Sequence, residues 1–319
     1  MQGYPDGLVL EDKSCPNGCA RNDSFVLEGQ DRLHGIPGRF KIVACKHCGL
    51  LRTNPRPTPE TIGIYYPSDY GPYQDIIQPI TQAKSKSKFK LFVVKLLNMD
   101  SRVLPPVAPG NLLEIGCSSG AYLLETQKKG WAVEGIEYSA IAAKKAVQAG
   151  LKVQISSLED AQAPTQAVDI IAAWMVLEHL HQPVAALAKI RGWIKPNGFL
   201  VASFPDSSSL MQKVFGEYCY DLHLPNHLYH YAPKTIERVL NSAGWQLIRV
   251  SWQKNANTLL NSLEYVATQK QFKWLIKTTG WIKLSNQARY IRLILNWLAG
   301  VTKQSGRIEI WAQPKVDKV

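Results

Sequence analysis

The stretch Asn111-Leu-Leu-Glu-Ile-Gly-Cys-Ser-Ser-Gly120 decides how this chain is read. Leu112, Leu113 and Ile115 form the end of a short apolar run suited to a buried strand. Gly116 and Gly120 mark a tight turn, and Tyr122 to Lys129 carries a helical pattern. A strand that passes through a glycine turn into a helix N-terminus lets a ligand approach the backbone and meet free N–H groups. Glu114 selects the charge of that ligand. Just before the turn, its carboxylate opposes a dinucleotide's pyrophosphate and attracts an ammonium or a sulfonium-bearing amino acid.

Outward from that turn, strand and helix alternate from Pro105 to Pro205, which predicts a parallel sheet with helices on both faces. Ala132-Val-Glu-Gly-Ile-Glu137 reads as a second strand ending in an acid 21 residues past Gly116. A carboxylate there can accept both ribose hydroxyls of an adenosine, or be an ordinary strand-end acid. Val153 to Asp160 gives a third strand and its exit loop. Val168 to His179 gives a fourth strand and its extension, with Trp174 and Met175 at the carboxyl end, where open α/β sheets bind ligands. Lys195 to Phe204 turns into a fifth strand, Trp245 to Trp252 is a sixth, and Arg307 to Ala312 alternates as a last one.

Upstream, Cys15-Pro-Asn-Gly-Cys19 and Cys45-Lys-His-Cys48 are two close pairs with 25 residues between them. Two such turns complete a tetrahedral four-sulfur shell, a zinc-ribbon layout. Two disulfides or four buried thiols are the competing readings, and His34 and His47 are substitute ligands. Four cysteines leave a metal no open position, so a zinc ion here would be structural. Asn54-Pro-Arg-Pro-Thr-Pro59 reads as a stiff extended connector, and Tyr65, Tyr66 and Tyr70 beyond it suit either a lid over a ligand or packing.

The motifs together resemble the class I S-adenosylmethionine (SAM)-dependent methyltransferases. Glu114, Gly116 and Gly120 match the first glycine-rich motif of that family, with Ser118 in place of its middle glycine. Asp169-Ile-Ile to Leu177-Glu-His-Leu180 and Lys195-Pro-Asn-Gly198 match later segments. The four cysteines, the Cys48-Gly-Leu50, the Asn54-Pro-Arg-Pro57 and the Tyr-Tyr pair resemble the N-terminal part of a bacterial group of these enzymes. The resemblance implies a Rossmann-like seven-stranded α/β sheet with an antiparallel last strand, plus a small zinc ribbon and a helical insertion. It implies a SAM pocket of Glu114, Gly116, Ser118, Gly120, Glu137, Tyr138, Ser157, Leu158, Trp174 and Met175, with zinc on Cys15, Cys19, Cys45 and Cys48. The expected divisions are 1–80 for the ribbon and connector and 81–104 for a linker helix. The catalytic domain takes 105–253 and 305–315, and the insertion 254–304.

Methyl transfer to a hydroxyl benefits from a base. His227, in a loop expected over the pocket, is the preferred one, followed by His179 and then His223. Related chains act on sugars and other small molecules, so a small-molecule acceptor is expected. An NAD(P)-dependent oxidoreductase is the first alternative, since the acid at 137 serves either cofactor. A zinc-ribbon nucleic-acid-binding protein is the second, and the less expected, because the ribbon itself is not strongly basic.

Charge is unevenly placed. The net charge is +12, of which Lys84 to Lys95 supplies five and the 254–305 segment seven. Lysines alternate with Phe89, Phe92, Val93 and Leu96 at helical spacing, as in a basic amphipathic helix. In the insertion, Tyr290, Leu293 and Trp297, flanked by Ile291, Ile294, Leu295 and Leu298, make a broad apolar stripe beside Arg289 and Arg292. A lid, a homodimer surface and an anionic bilayer carrying a lipid-linked substrate all suit that stripe. Met1 to Asp12 lacks a signal-peptide pattern and no apolar run reaches 18 residues, so the expected location is cytoplasmic, with peripheral contact at the inner membrane face as the variant.

Overall fold

The computed structural model describes residues 3–67 and 101–315. Tyr70 and the expected basic helix at Lys84 to Leu97 lie outside the described residues.

The N-terminal module holds β1 (Leu10–Glu11), β2 (Asp23–Gln30), β3 (Arg39–Cys45), β4 (Leu51–Thr53) and β5 (Arg56–Pro57). The main α/β region follows with β6 (Asn111–Ile115), α1 (Ala121–Gln127), β7 (Ala132–Glu137), α2 (Ala140–Gln148), β8 (Lys152–Ile155) and β9 (Val168–Trp174). It continues with α3 (Pro183–Arg191), β10 (Ile194–Pro205), α4 (Leu210–Phe215), β11 (Tyr229–His230), α5 (Pro233–Ser242) and β12 (Trp245–Trp252). Three helices then intervene, α6 (Asn257–Gln269), α7 (Lys273–Leu284) and α8 (Arg289–Val301), before β13 (Arg307–Pro314) closes the chain.

Seven strands form the main sheet in the order β12-β13-β10-β9-β6-β7-β8. Neighbours among β6 to β10 pair in parallel, and β13 runs antiparallel to both β10 and β12. This is the Rossmann-like sheet with an antiparallel last strand that the motifs imply. The order reverses between β6 and β9, which opens a crevice at the carboxyl ends of those strands.

Side-chain alternation distributes the core. Leu113, Ile115, Ile171, Ala173, Leu200 and Ala202 pack toward α3 and α5, through Leu187, Ile190, Ile236 and Leu240. Leu112, Ile170, Ala172 and Val201 pack on the other face with Leu123 of α1 and Ala146 of α2. Strands covered on both faces read as continuous apolar runs, which explains Leu112-Leu113 and Ile170-Ile-Ala-Ala173.

The module is joined to the domain through the backbone. Its small sheet has the order β11-β4-β3-β2, so one edge strand comes from the main α/β region. Tyr229 pairs with Arg52 and His230 with Leu51. Thr53 adds an N–H bond to the Leu228 carbonyl at 3.0 Å and a hydroxyl bond to the His227 carbonyl at 2.7 Å.

The segment from Asn54 to Pro59 is not the free connector its prolines suggested. β5 pairs antiparallel with β1, and Arg56 is buried. Its guanidinium donates to Glu11 Oε1 at 2.8 Å, to the Tyr229 hydroxyl at 3.0 Å and to the His181 carbonyl at 2.9 Å. Five fixed donors in one plane suit three acceptors converging from three parts of the chain. Substituting Arg56→Met removes three hydrogen bonds at a buried site, leaving the His181 carbonyl only the Tyr229 hydroxyl and Glu11 only Lys13, and is expected to cost about 1–3 kcal/mol. Urea denaturation followed by tryptophan fluorescence checks this; a midpoint unchanged from wild type would show that Arg56 does not hold the module in place.

Candidate cofactor and catalytic site

The turn after β6 is built from left-handed residues. Gly116 and Gly120 sit at φ of 70° and 81°. A Cβ on Gly120 would come within 2.3 Å of Leu151 Cδ1, so the helix can start here only from glycine. Ser118 also takes a left-handed φ of 47°, at the cost of about 1–2 kcal/mol that glycine would avoid. Its N–H donates to Glu137 Oε2 at 2.8 Å, and the Ser139 N–H donates to Oε1 at 2.7 Å. The acid of the second strand therefore holds the glycine turn closed.

Glu114 lies 3 % exposed, and its Oε2 has no hydrogen-bond partner. Burial pushes its carboxyl up to about 8, with Glu137 adding to the rise and Arg102 opposing it. Burial also raises Glu137, against the pull of the backbone donors at Ser139, Ser118 and Tyr138. Two buried carboxyls on neighbouring strands, one with an unmatched oxygen, suit a ligand that brings a cation and a diol, and SAM is a molecule that carries both.

These acids open onto a cavity of about 980 Å³. Tyr138, Ser157, Leu158, Trp174 and Met175 line it together with Gly116 and Ser118 of the glycine turn, whereas Gly120 lies behind that lining at the start of α1. Met175 has a φ of 59° and its N–H bonds to the Ser203 carbonyl at 2.8 Å, a strained corner where β9 meets the cavity. The Trp174 ring meets Tyr122 edge-on at 5.4 Å.

His179, His223 and His227 line the same cavity. The three rings are mutual neighbours: centroids lie 4.8 Å apart for both pairs that include His227, and 6.4 Å apart for His179 and His223. Their tautomers follow from their partners. His227 Nδ1 faces the Asp221 carbonyl at 2.8 Å, so it carries the proton and Nε2 carries the lone pair. His223 Nδ1, 3.3 Å from that Nε2, must then be the donor. His179 Nδ1 faces the Asn226 carbonyl at 2.9 Å and the Tyr66 hydroxyl at 2.9 Å, so it too is protonated. Burial lowers all three rings: His179 to about 4, His223 to about 3, and His227 well below the usual range. All are neutral at physiological pH.

The N-terminal module walls the cavity from the other side, and the tyrosine pair divides between the two roles open to it from sequence. Arg32 pairs with Glu217 at 2.7 Å and lies over the Tyr218 ring at 4.0 Å. Tyr66 reaches His179, whereas its neighbour Tyr65 is a core residue donating to the Pro37 carbonyl at 2.6 Å. Sequence reading missed Glu178, Asp221 and Arg307. Asp221 and Arg307 are oppositely charged groups 3.7 Å apart that lie 86 residues apart in the chain.

At the far end of the module, Cys15, Cys19, Cys45 and Cys48 place their sulfurs within 4.8 Å of one another. None is in a disulfide, and Cys15 Sγ and Cys48 Sγ are 3.4 Å apart. Four sulfurs at this spacing can hold a tetrahedral zinc-class ion, and neither His34 nor His47 joins them.

Residues 95–250, just under half of the chain, match the model of a family described as a methyltransferase domain. A ubiquinone biosynthesis O-methyltransferase of Thiobacillus denitrificans is 29% identical over 165 residues, covering 47% of this chain and 70% of that protein. Among solved structures, a putative SAM-dependent methyltransferase from Listeria monocytogenes is similar over 70% of this chain and 98% of its own, at 14% identity and a TM-score of 0.45. A SAM-dependent methyltransferase from Mesorhizobium loti is similar over 72% and 99%, at 12% identity and a TM-score of 0.44.

Stripping metal from the four-cysteine cluster with a strong chelator is expected to lower the melting temperature by on the order of 10 °C, because a structural metal supplies folding energy directly. Metal analysis before and after chelation, with differential scanning calorimetry, checks this. Protein that purifies without metal and melts unchanged would remove the cluster from the metal sites.

Proposed function

From the premise that residues 95–250 are a methyltransferase domain of the class I SAM-dependent kind, we propose that the chain methylates a hydroxyl of a small-molecule acceptor at the histidine end of the cavity. The observation that carries this is the shared space: the two buried acids of the cofactor end and the three neutral imidazoles line one cavity. A sulfonium methyl is already activated, so alignment and exclusion of water do most of the work. The acceptor oxygen forms a bond to the methyl carbon, the carbon–sulfur bond breaks with its electrons going to sulfur, and the hydroxyl proton passes to a base.

His227 was the first choice as that base. Its Nε2 already accepts from His223, so the role moves to His223, whose own Nε2 carries the lone pair. His227 acts as the positioning residue behind it, held in turn by the Asp221 carbonyl. The relative named as an O-methyltransferase supports oxygen as the acceptor atom. Glu114 gives the cofactor reading a measurable signature. A carboxyl raised to about 8 in the free protein stabilises the fold below the ordinary glutamate range, and that contribution is lost as pH rises toward 8. A cation beside it reverses the shift. SAM binding near pH 7 is therefore expected to release about one proton, read by calorimetry in buffers of different ionisation enthalpy. His223→Gln is expected to leave that binding intact and to slow transfer of label from SAM into an extract by roughly 10²–10⁴-fold. Absence of SAM binding, with binding of NAD instead, would sink the methyl-transfer reading.

We also propose that α7 and α8 lie on an anionic bilayer and bring the cavity to a lipid-borne acceptor. Trp274 is 67% exposed, Leu284 85% and Ile294 58%, and Tyr290, Trp297 and Leu298 are exposed along the same helix as Ile294. An apolar stripe of this size facing water asks for a partner. The segment around it carries eight basic residues against Glu264 alone, which opposes stacking of two copies and favours an acidic surface. None of the described helices is long and apolar enough to cross a membrane, so contact would be from one side. Tyr265 of α6 lines the cavity, which ties the insertion to the site. Co-sedimentation is expected to show at least tenfold tighter binding to phosphatidylglycerol vesicles than to phosphatidylcholine ones, weakened by salt and by Trp274→Ser with Ile294→Ser. Equal binding to both vesicles, or a dimer that masks the stripe, would overturn this.

A further inference from the structure

Glu178 is not used by the chemistry described so far. It is 1 % exposed, and neither carboxylate oxygen is met by a donor from another residue. An ionised carboxylate in that state is costly, so its retention asks for a compensating charge. Arg307 is near, but its own ion pair is with Asp221. The short turn Leu177–His179 places Glu178 beside His179, and the loop at Asp221 to His230 brings His227 over both. One carboxylate oxygen and one nitrogen from each histidine lie within 4.8 Å of one another.

We propose that Glu178, His179 and His227 form a second divalent-metal site, separate from the four cysteines, that takes a borderline ion such as zinc. The tautomers are the ones a metal needs. Both rings donate Nδ1–H to a backbone carbonyl, that of Asn226 or Asp221, and so present Nε2 as a ligand. That outer hydrogen bond is the usual companion of a metal-bound imidazole. Two imidazoles and one carboxylate leave a tetrahedral ion one position to fill, and both histidines line the cavity. Nitrogens on zinc bonds of roughly 2.0–2.1 Å sit about 3.3 Å apart, so side-chain rotations of about an ångström close the shell. The ion takes the lone pair of His227 that now accepts from His223, so metal binding and the His223–His227 hydrogen bond exclude one another and His223 Nδ1–H turns to another acceptor when the site is filled. The catalytic use of the ion rests on the methyl-transfer reading; its binding does not.

Cobalt substitution of the full-length protein tests the site. Metal-free protein titrated with Co²⁺ is expected to take up two equivalents. One shows thiolate-to-cobalt charge transfer and is lost in Cys48→Ser. The other shows only weak d–d absorption and is lost in Glu178→Gln and in His227→Gln. Retention of the thiolate bands in the last two variants shows that they are folded. A single equivalent with thiolate bands alone overturns the proposal, and so does a second equivalent that survives the double variant Glu178→Gln, His227→Gln. Calorimetry with SAM on the same samples separates the two readings. Two cobalt equivalents without SAM binding keep the site and discard methyl transfer; SAM binding with one equivalent does the reverse.

Discussion

The pairing of Leu51 and Arg52 with Tyr229 and His230 is the contact on which the site depends. It is only two residues long, and it sits on the far side of β4 from β3, so it makes β11 the edge strand of the module's sheet. Thr53 adds bonds to the carbonyls of His227 and Leu228, and Asn226 bonds the Tyr65 carbonyl at 2.9 Å. The loop that carries His223 and His227 is thus positioned by the N-terminal module as much as by its own sheet. A module that otherwise resembles a detachable ribbon becomes one wall of the cavity.

Desolvation then sets the chemistry of that cavity. Glu114 and Glu137 are raised by burial, as is Glu178 next to His179, and the three histidines are lowered by it. Burial thus opposes charge on these groups, while Arg32 is paired with Glu217 and Arg307 with Asp221 along the same lining. Charge arrives with the ligands, and in a low-dielectric space each opposite charge they meet counts for more than it would in water. A sulfonium ion is well matched to such a site, because transfer of its methyl group turns a cation into a neutral thioether and a proton.

The strand-turn-helix around Glu114 was legible from local spacing. Glu114, Gly116, Ser118, Gly120 and Glu137 sit at fixed offsets along two strands and one turn, and each offset is set by local backbone geometry. The four cysteines were legible for the same reason: each pair lies within one turn. The acceptor end was not. Glu178 reads as part of a strand extension, and Asn54-Pro-Arg-Pro57 as a spacer, because the partners of both are far away in sequence.

The sequence by itself determined the elements: strand periods, the glycine turn, the apolar stripe of α8 and the sign of its charge. These depend on spacings of a few residues, which the chain carries without reference to its fold. Only the tertiary structure decided which side chains face one another across long separations. It buried Arg56 under Tyr229, fixed the His179 and His227 tautomers through backbone carbonyls and that of His223 through His227, and left the stripe of α8 facing water. Those outcomes depend on where buried polar groups find partners, and that is settled by packing of the whole chain rather than by any local pattern.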